Sequence, residues 1–177
     1  PGQAERQQAL AAHLQPTHER NAMTPTPYPA PADPAPAAAD QLQAIQLAVL
    51  AMPVARTLQL AFRHMAEGEV EVEIPIAPEL TFRPGQLQAP AIFAVADFAA
   101  VSAAATLLPL GASNATIDTT LKIFAPAVGT HLRGKGRVIS HAKLLSVCAA
   151  DVLAVDEHGD ETLCATLLAT ARNIMPR

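Results

Sequence analysis

The sequence predicts an α+β domain in which one long apolar helix packs against an antiparallel sheet. Three observations carry this. Residues 91–108 contain no helix breaker, and of the 19 positions counted from Pro90 only Asp97, Ser102 and Thr106 are polar. Strand-like segments flank that stretch, two before and four after, joined by turns too short for parallel crossovers. The apolar half of the chain is small in kind, with 38 Ala, one Tyr and no Trp in 177 residues, so the core must be built by close backbone approach.

The elements follow in order. Residues 1–39 read as a Pro/Ala-rich arm outside the domain, which spans 40–177. Eight of the 16 prolines precede Asp40, and Thr24 to Pro36 (TPTPYPAPADPAP) has one at almost every second position. That run excludes helix and central strand and suits an extended polyproline-II-like segment. It could serve a partner domain as ligand, but a solvated strap is the preferred reading. Residues 3–14 could form a short polar helix, and Met23 offers an alternative start.

Asp40 is placed to cap a helix over residues 41–52, with Leu42, Ile45 and Val49 on one face and Pro53 as its stop. Residues 57–64 read as a strand, and Gly68 turns the chain into a second. There Val70, Val72, Ile74 and Ile76 alternate with glutamates, giving one wet face, and Pro75 marks an end or an edge.

The long helix comes next, opened by Pro90 and closed before Pro109 and Gly111. A helix apolar all round must be buried in protein or in lipid. Its length is near a membrane span, yet eight of its residues are Ala, and Asp97 near the middle would cost about 2.5–3.5 kcal/mol on insertion. Enclosure by a curved sheet is preferred. Strands over 116–124, 131–140, 144–155 and 161–173 complete the domain, with Asp156 to Asp160 as a hairpin turn.

Several classes are excluded. A net charge of −4 and few aromatic side chains argue against nucleic acid. Cys148 and Cys164 have no metal-spaced His and read as buried free thiols, and no metal or cofactor is expected. The first residues lack a signal-peptide pattern, so a cytoplasmic protein is expected.

The chemistry converges on Asp97. An ionised carboxylate among Ala, Val and Phe is costly unless it is paired, hydrogen-bonded or titrates upward. The alternatives are a catalytic or binding group and a carboxylate that caps a loop or pairs across a subunit interface. Ser140 and Ser146 lack a nucleophile-elbow context, and His64, His141 and His158 share no spacing. Thr162, Thr166 and Thr170 read as a sheet face.

The segment Gln88-Ala89-Pro90-Ala91-Ile92-Phe93-Ala94-Val95-Ala96-Asp97 resembles the hotdog-fold acyl-CoA thioesterases of the PaaI-like group. In that family His-Gly-Gly opens the central helix and an Asp follows nine positions after the His. Arg83-Pro84-Gly85 resembles the preceding loop, and Phe124-Ala125-Pro126 the end of the strand after the helix. The resemblance covers residues 41–173 and implies a curved antiparallel sheet wrapped around one central helix. It implies hydrolysis of an acyl-CoA thioester, with Asp97 as general base or nucleophile, the Ala89 N–H polarising the carbonyl, and Gln88 orienting water or carbonyl. The chain departs from the family where Gln88 replaces His and Ala89-Pro90 replaces Gly-Gly, and Pro90 has no N–H to donate. Ser102 stands where hotdog hydratases carry a His.

A second feature suits coenzyme A. No acidic residue lies between Asp118 and Asp151, while Lys122, Arg133, Lys135, Arg137 and Lys143 all do. His131, Arg133, Lys135 and Arg137 share one strand face, which could hold the nucleotide phosphates or serve only solubility. The resemblance further implies a homodimer or homotetramer, with sites between subunits and no nucleic-acid or membrane partner. The competing readings are a non-catalytic acyl-CoA or acyl-carrier binding module and a structural protein assembling through its arm.

Overall fold

The computed structural model describes residues 36–176. The polar segment at 3–14, Met23 and most of the proline run lie outside the described residues. Helices α1 (Pro36–Leu50) and α2 (Pro53–Thr57) lead into strands β1 (Ala61–Ala66) and β2 (Glu69–Pro75). A 3-10 turn (Pro78–Leu80) and a small hairpin, β3 (Thr81–Arg83) with β4 (Gln86–Leu87), precede the long helix α3 (Ala89–Ala105). Strands β5 (Ser113–Ile123), β6 (His131–His141), β7 (Leu145–Val155) and β8 (Glu161–Ile174) complete the chain.

The six longer strands form one antiparallel sheet in the order β1-β2-β6-β7-β8-β5. Helix α3 lies against β2, β5, β6, β7 and β8. Alternation supplies the inner face: Val70, Val72 and Ile74 on β2, Ser146, Cys148, Ala150 and Val152 on β7, and Cys164, Leu167, Ala169 and Ala171 on β8 are buried. Each buried Val, Leu or Ile contributes about 1.5–3 kcal/mol relative to exposure.

The small residues have a steric reason. On β6, Gly134 and Gly136 face the helix, and a Cβ at Gly136 would lie 2.1 Å from the Ala99 carbonyl oxygen. Strand and helix backbones are therefore in direct contact, and only Ala on the helix and Gly on the strand permit it. At its far end α3 is tied down by Thr106, whose hydroxyl donates to the Ala103 carbonyl and accepts from the Gly68 N–H, both at 2.7 Å.

Several boundaries differ from the sequence reading, among them the start of β5 at Ser113 rather than at 116. Helix α1 begins at Pro36, so Asp40 lies inside it rather than at its cap. Pro53 opens α2 at its first position, where a missing N–H costs nothing, and Thr57 ends that helix, so the strand starts only at Ala61. Helix α3 stops at Ala105 rather than at 108 because the amides of Leu107 and Leu108 bond three residues back, tightening the chain before Pro109. The β3–β4 hairpin has no hydrophobic alternation to announce it.

Among the described residues, no helix is long and apolar enough to cross a membrane. Cys148 and Cys164 are free and buried.

Candidate active site

Helix α3 is apolar all round, but one face escapes the sheet. The buried positions are Ala91, Ile92, Val95, Ala96, Ala99, Ala100 and 102–104. Phe93, Asp97, Val101 and Ala105, spaced by four, form the face left only partly covered. Asp97 sits at its centre.

The Asp97 Oδ1 accepts a hydrogen bond from Thr116 Oγ1 of β5 at 2.9 Å. No ion pair engages Asp97 among the described residues. Burial pushes its pKa above the ordinary carboxylate value, and the Thr116 hydrogen bond opposes this without cancelling it. Beneath it on β7, burial and the Asp97 charge push the Cys148 thiol up to about 11, so that thiol stays protonated and is no nucleophile.

A cavity of about 190 Å³ opens beside the carboxylate. Asp97, Thr116 and Asn114 line its polar side; Phe98, Val101 and Ala105 form the helix wall. Val49 of α1 and Met52 close it from above. Gln41 of α1 donates from its side chain to the Leu108 carbonyl, fastening that cover to the turn after α3. Asn114 Nδ2 donates to the Val101 carbonyl at 2.9 Å, fastening β5 to the helix.

Gln88 and Ala89 stand at the other end of the helix. Gln88 is the residue before the first helical turn; its carbonyl accepts from the amides of Ala91 and Ile92, and its side chain makes no capping bond. Gln88, Ala89 and Pro90 are exposed. Ala89 is the first helical residue, and its amide donates to no group among the described residues, so it points the positive end of the helix outward. Asp97 lies eight positions after Ala89 on the helix, about 12 Å along the axis at about 1.5 Å per residue. One copy of the chain does not bring the two together.

The basic stripe is on the outer face of the sheet, opposite the glycines that touch α3. Its cations are engaged. Arg133 donates to Glu73 at 2.8 Å and to Glu161 at 2.6 Å, Lys135 to Glu161 at 2.6 Å, and Arg137 to Asp151 at 3.0 Å. Arg63 adds a second cation on Glu73 at 2.8 Å. The sequence gap in acidic residues between Asp118 and Asp151 is filled in space by carboxylates from β2, β7 and β8. Lys143 lies apart, exposed in the β6–β7 turn.

Sequence reasoning missed Glu73. It is 4% exposed, with burial raising its pKa and the hydrogen bonds of Arg63 and Arg133 outweighing that to hold it below the ordinary value. The glutamate alternation of β2 showed a wet face; only the flanking strands show that its centre is covered. Likewise missed was a polar chain in which the buried Ser146 Oγ donates to the buried Asn173 Oδ1 at 3.0 Å and meets the exposed His141 Nδ1 at 2.9 Å, pinning the β6–β7 turn.

A six-stranded antiparallel sheet closed over one long helix is the hotdog fold, and its solved relatives include thioesterase-family proteins. A thioesterase family protein from Silicibacter pomeroyi matches with a TM-score of 0.72 and 26% identity, over 78% of this chain and 99% of that one. The PaaI protein of the phenylacetic acid degradation operon of E. coli matches at 0.65 and 16% identity, over 78% and 94%. A thioesterase from Haemophilus influenzae matches at 0.65 and 16%, over 75% and 90%. No protein-family model and no curated protein sequence matches the chain.

Proposed function

We propose that this chain is a thioesterase that hydrolyses an acyl-CoA thioester, with Asp97 as general base or nucleophile in a site shared by two copies. The observation that carries the reading is the half-buried Asp97 carboxylate, with no cationic partner among the described residues, facing a cavity on the central helix. As a base, it takes a proton from water while the water oxygen bonds to the acyl carbon. The C–S bond then breaks and the proton passes to the departing thiolate. As a nucleophile, its oxygen bonds to the acyl carbon as the C–S bond breaks and the thiolate leaves; water then cleaves the mixed anhydride, freeing the acid and the carboxylate, and its other proton goes to the thiolate. A backbone N–H at the helix start, aided by the helix dipole, stabilises the oxyanion; Ala89 fills that role.

Two copies solve the 12 Å separation. Phe93 lies midway between Ala89 and Asp97 on the uncovered face and is 38% exposed. A two-fold axis passing near Phe93 sets Ala89 of each copy beside Asp97 of the other, the self-complementary contact a dimer makes. Strand β5 supports this: it is a sheet edge, and Ile117 and Ile123 on it are 57% and 42% exposed.

The test is thiol release from a panel of acyl-CoAs. Asp97→Asn should lose about 10²–10⁴-fold in rate, and mixing it with an Ala89→Pro chain, which lacks the amide donor, should restore activity in the mixed dimer. The second reading, a binding module without catalysis, is favoured by Gln88, which cannot carry a proton as His can. Acyl-CoA binding with no Asp97-dependent thiol release on any substrate would establish it instead.

A further inference from the structure

We infer that the β-bulge at Ile117 belongs to the site: it turns Thr116 rather than Ile117 toward Asp97, and Asn114 is the positioning residue that holds β5 in that register. For its bearing on catalysis this rests on the proposed role of Asp97, and it goes beyond that role in naming what sets the carboxylate.

Side chains along β5 change faces at the bulge. In the second half of the strand Thr119, Leu121 and Ile123 stand opposite Ala169, Leu167 and Ala165, all buried on the inner face of β8. In the first half Asn114 and Thr116 stand opposite Asn173 and Ala171, which are buried too. Odd positions thus face inward after the bulge and even positions before it. The ladder shifts between Thr116 and Asp118, leaving Ile117 without a partner in it and 57% exposed. A strand without the shift has two alternatives, because a slip of one residue reverses every side chain. Carrying the even pattern forward would turn Asp118 and Lys122 inward, two charges against an apolar face. Carrying the odd pattern back would set Ile117 opposite Ala171 and turn Asn114 and Thr116 outward. That second register satisfies hydrophobic alternation, yet the chain does not adopt it.

What the bulge brings is a pair of hydrogen bonds onto α3. Asn114 Nδ2 donates to the Val101 carbonyl and Thr116 Oγ1 to Asp97 Oδ1, both at 2.9 Å. The spacings match: two strand residues span about 6.8 Å, and the helix rises about 6 Å from Asp97 to Val101. Each bond therefore favours the other, and re-aiming a side chain beside a site is a recurrent use of bulges. The slipped register would set an Ile side chain, with no donor, against the carboxylate. From β7 the titratable group near Asp97 is the Cys148 thiol, which stays protonated. Among the described residues no cation offsets the lost donor.

The experiment follows the Asp97 carboxyl carbon by NMR through a pH titration without substrate. Burial raises the Asp97 pKa and the Thr116 bond lowers it, so Thr116→Val marks the higher midpoint of a carboxylate that has lost its donor. Asn114→Ala frees the register and should move the midpoint up toward that mark. Deletion of Ile117 leaves Thr116 and Asp118 on their present partners with no slipped alternative. It should titrate as wild type, and combined with Asn114→Ala it should restore the wild-type midpoint. Exchanging the two side chains, Thr116→Ile with Ile117→Thr, alters no core position and should titrate as Thr116→Val, so the test survives a deletion that does not fold. An exchanged protein that titrates as wild type overturns the inference, since the hydroxyl then reaches Asp97 from either position. So does Asn114→Ala with an unmoved midpoint, or one that the deletion does not restore. Thiol release from acyl-CoA, measured on the same proteins, separates the two levels. Midpoints that move as expected with no thioester cleaved leave the bulge as the device that positions Asp97 and remove the hydrolase reading. Asp97-dependent release with midpoints indifferent to register does the reverse.

Discussion

Gly136→Ala tests whether contact between strand and helix backbones is what positions the carboxylate. The added methyl would sit 2.1 Å from the Ala99 oxygen, 2.2 Å from its carbon and 2.7 Å from the Ala100 nitrogen. Ordinary contact begins at 3.4 Å, so helix and strand must part by about 1.3 Å, the difference between 3.4 Å and 2.1 Å. No flexible side chain can absorb this, because all three atoms are backbone. Overpacking costs about 1–3 kcal/mol, and a clash against main chain belongs at about 3. In a domain of this size that lowers Tm by roughly 6–12 °C. The displaced segment begins two residues after Asp97, and a misplacement of about 1 Å costs on the order of 100-fold in rate. Thermal unfolding and thiol release, measured on the same preparation, read both. Gly134→Ala should do less, since its methyl would lie 2.9 Å from the Val95 oxygen and 2.8 Å from a movable Val95 methyl. A Gly136→Ala protein within a degree or two of wild type and equally active would refute the reasoning.

Glu73→Gln removes the charge on which Arg63 and Arg133 converge, and should cost about 2 kcal/mol at neutral pH, below the ~3–5 of a fully buried pair because Arg63 is half exposed. Because its folded pKa is depressed, its contribution is present above the unfolded carboxylate value and is lost as pH falls through the folded one. Urea titrations of the two proteins should therefore converge in acid. Thr116→Val deletes the hydrogen bond that favours ionised Asp97, so the acid limb of the kcat/KM profile, expected above the ordinary Asp value, should move further up; an unmoved limb would separate Asp97 from the rate.

The central helix and Asp97 were legible because both are local: an unbroken apolar run and one residue that does not suit it. The strands after α3 were legible for the same reason, since Asp156 and Gly159 mark a turn between alternating runs. What stayed hidden depends on neighbours far along the chain. The cations of β6 read as free because their partners, Glu73, Asp151 and Glu161, lie on other strands. Glu73 read as wet because alternation within β2 says nothing of Arg63 and Arg133 on either side. Ile117 and Ile123 had the period of a strand with one covered face, yet β5 is an edge and leaves them exposed. The distance from Gln88 and Ala89 to Asp97 follows from helix rise alone.

The sheet order has a consequence for how the site comes into being. Strand β5 ends at Ile123, but the strand it pairs with, β8, begins only at Glu161. Until β8 has docked on β7, β5 has no ladder to join, and Thr116 cannot take its place opposite Asp97. The loop that must close is long, and such non-local pairing is slow to form. The environment of Asp97 is therefore complete only once the last strand of the chain is in place. A chain cut after Asp160 would keep Asp97 and its helix yet lose the strand that holds β5 in place.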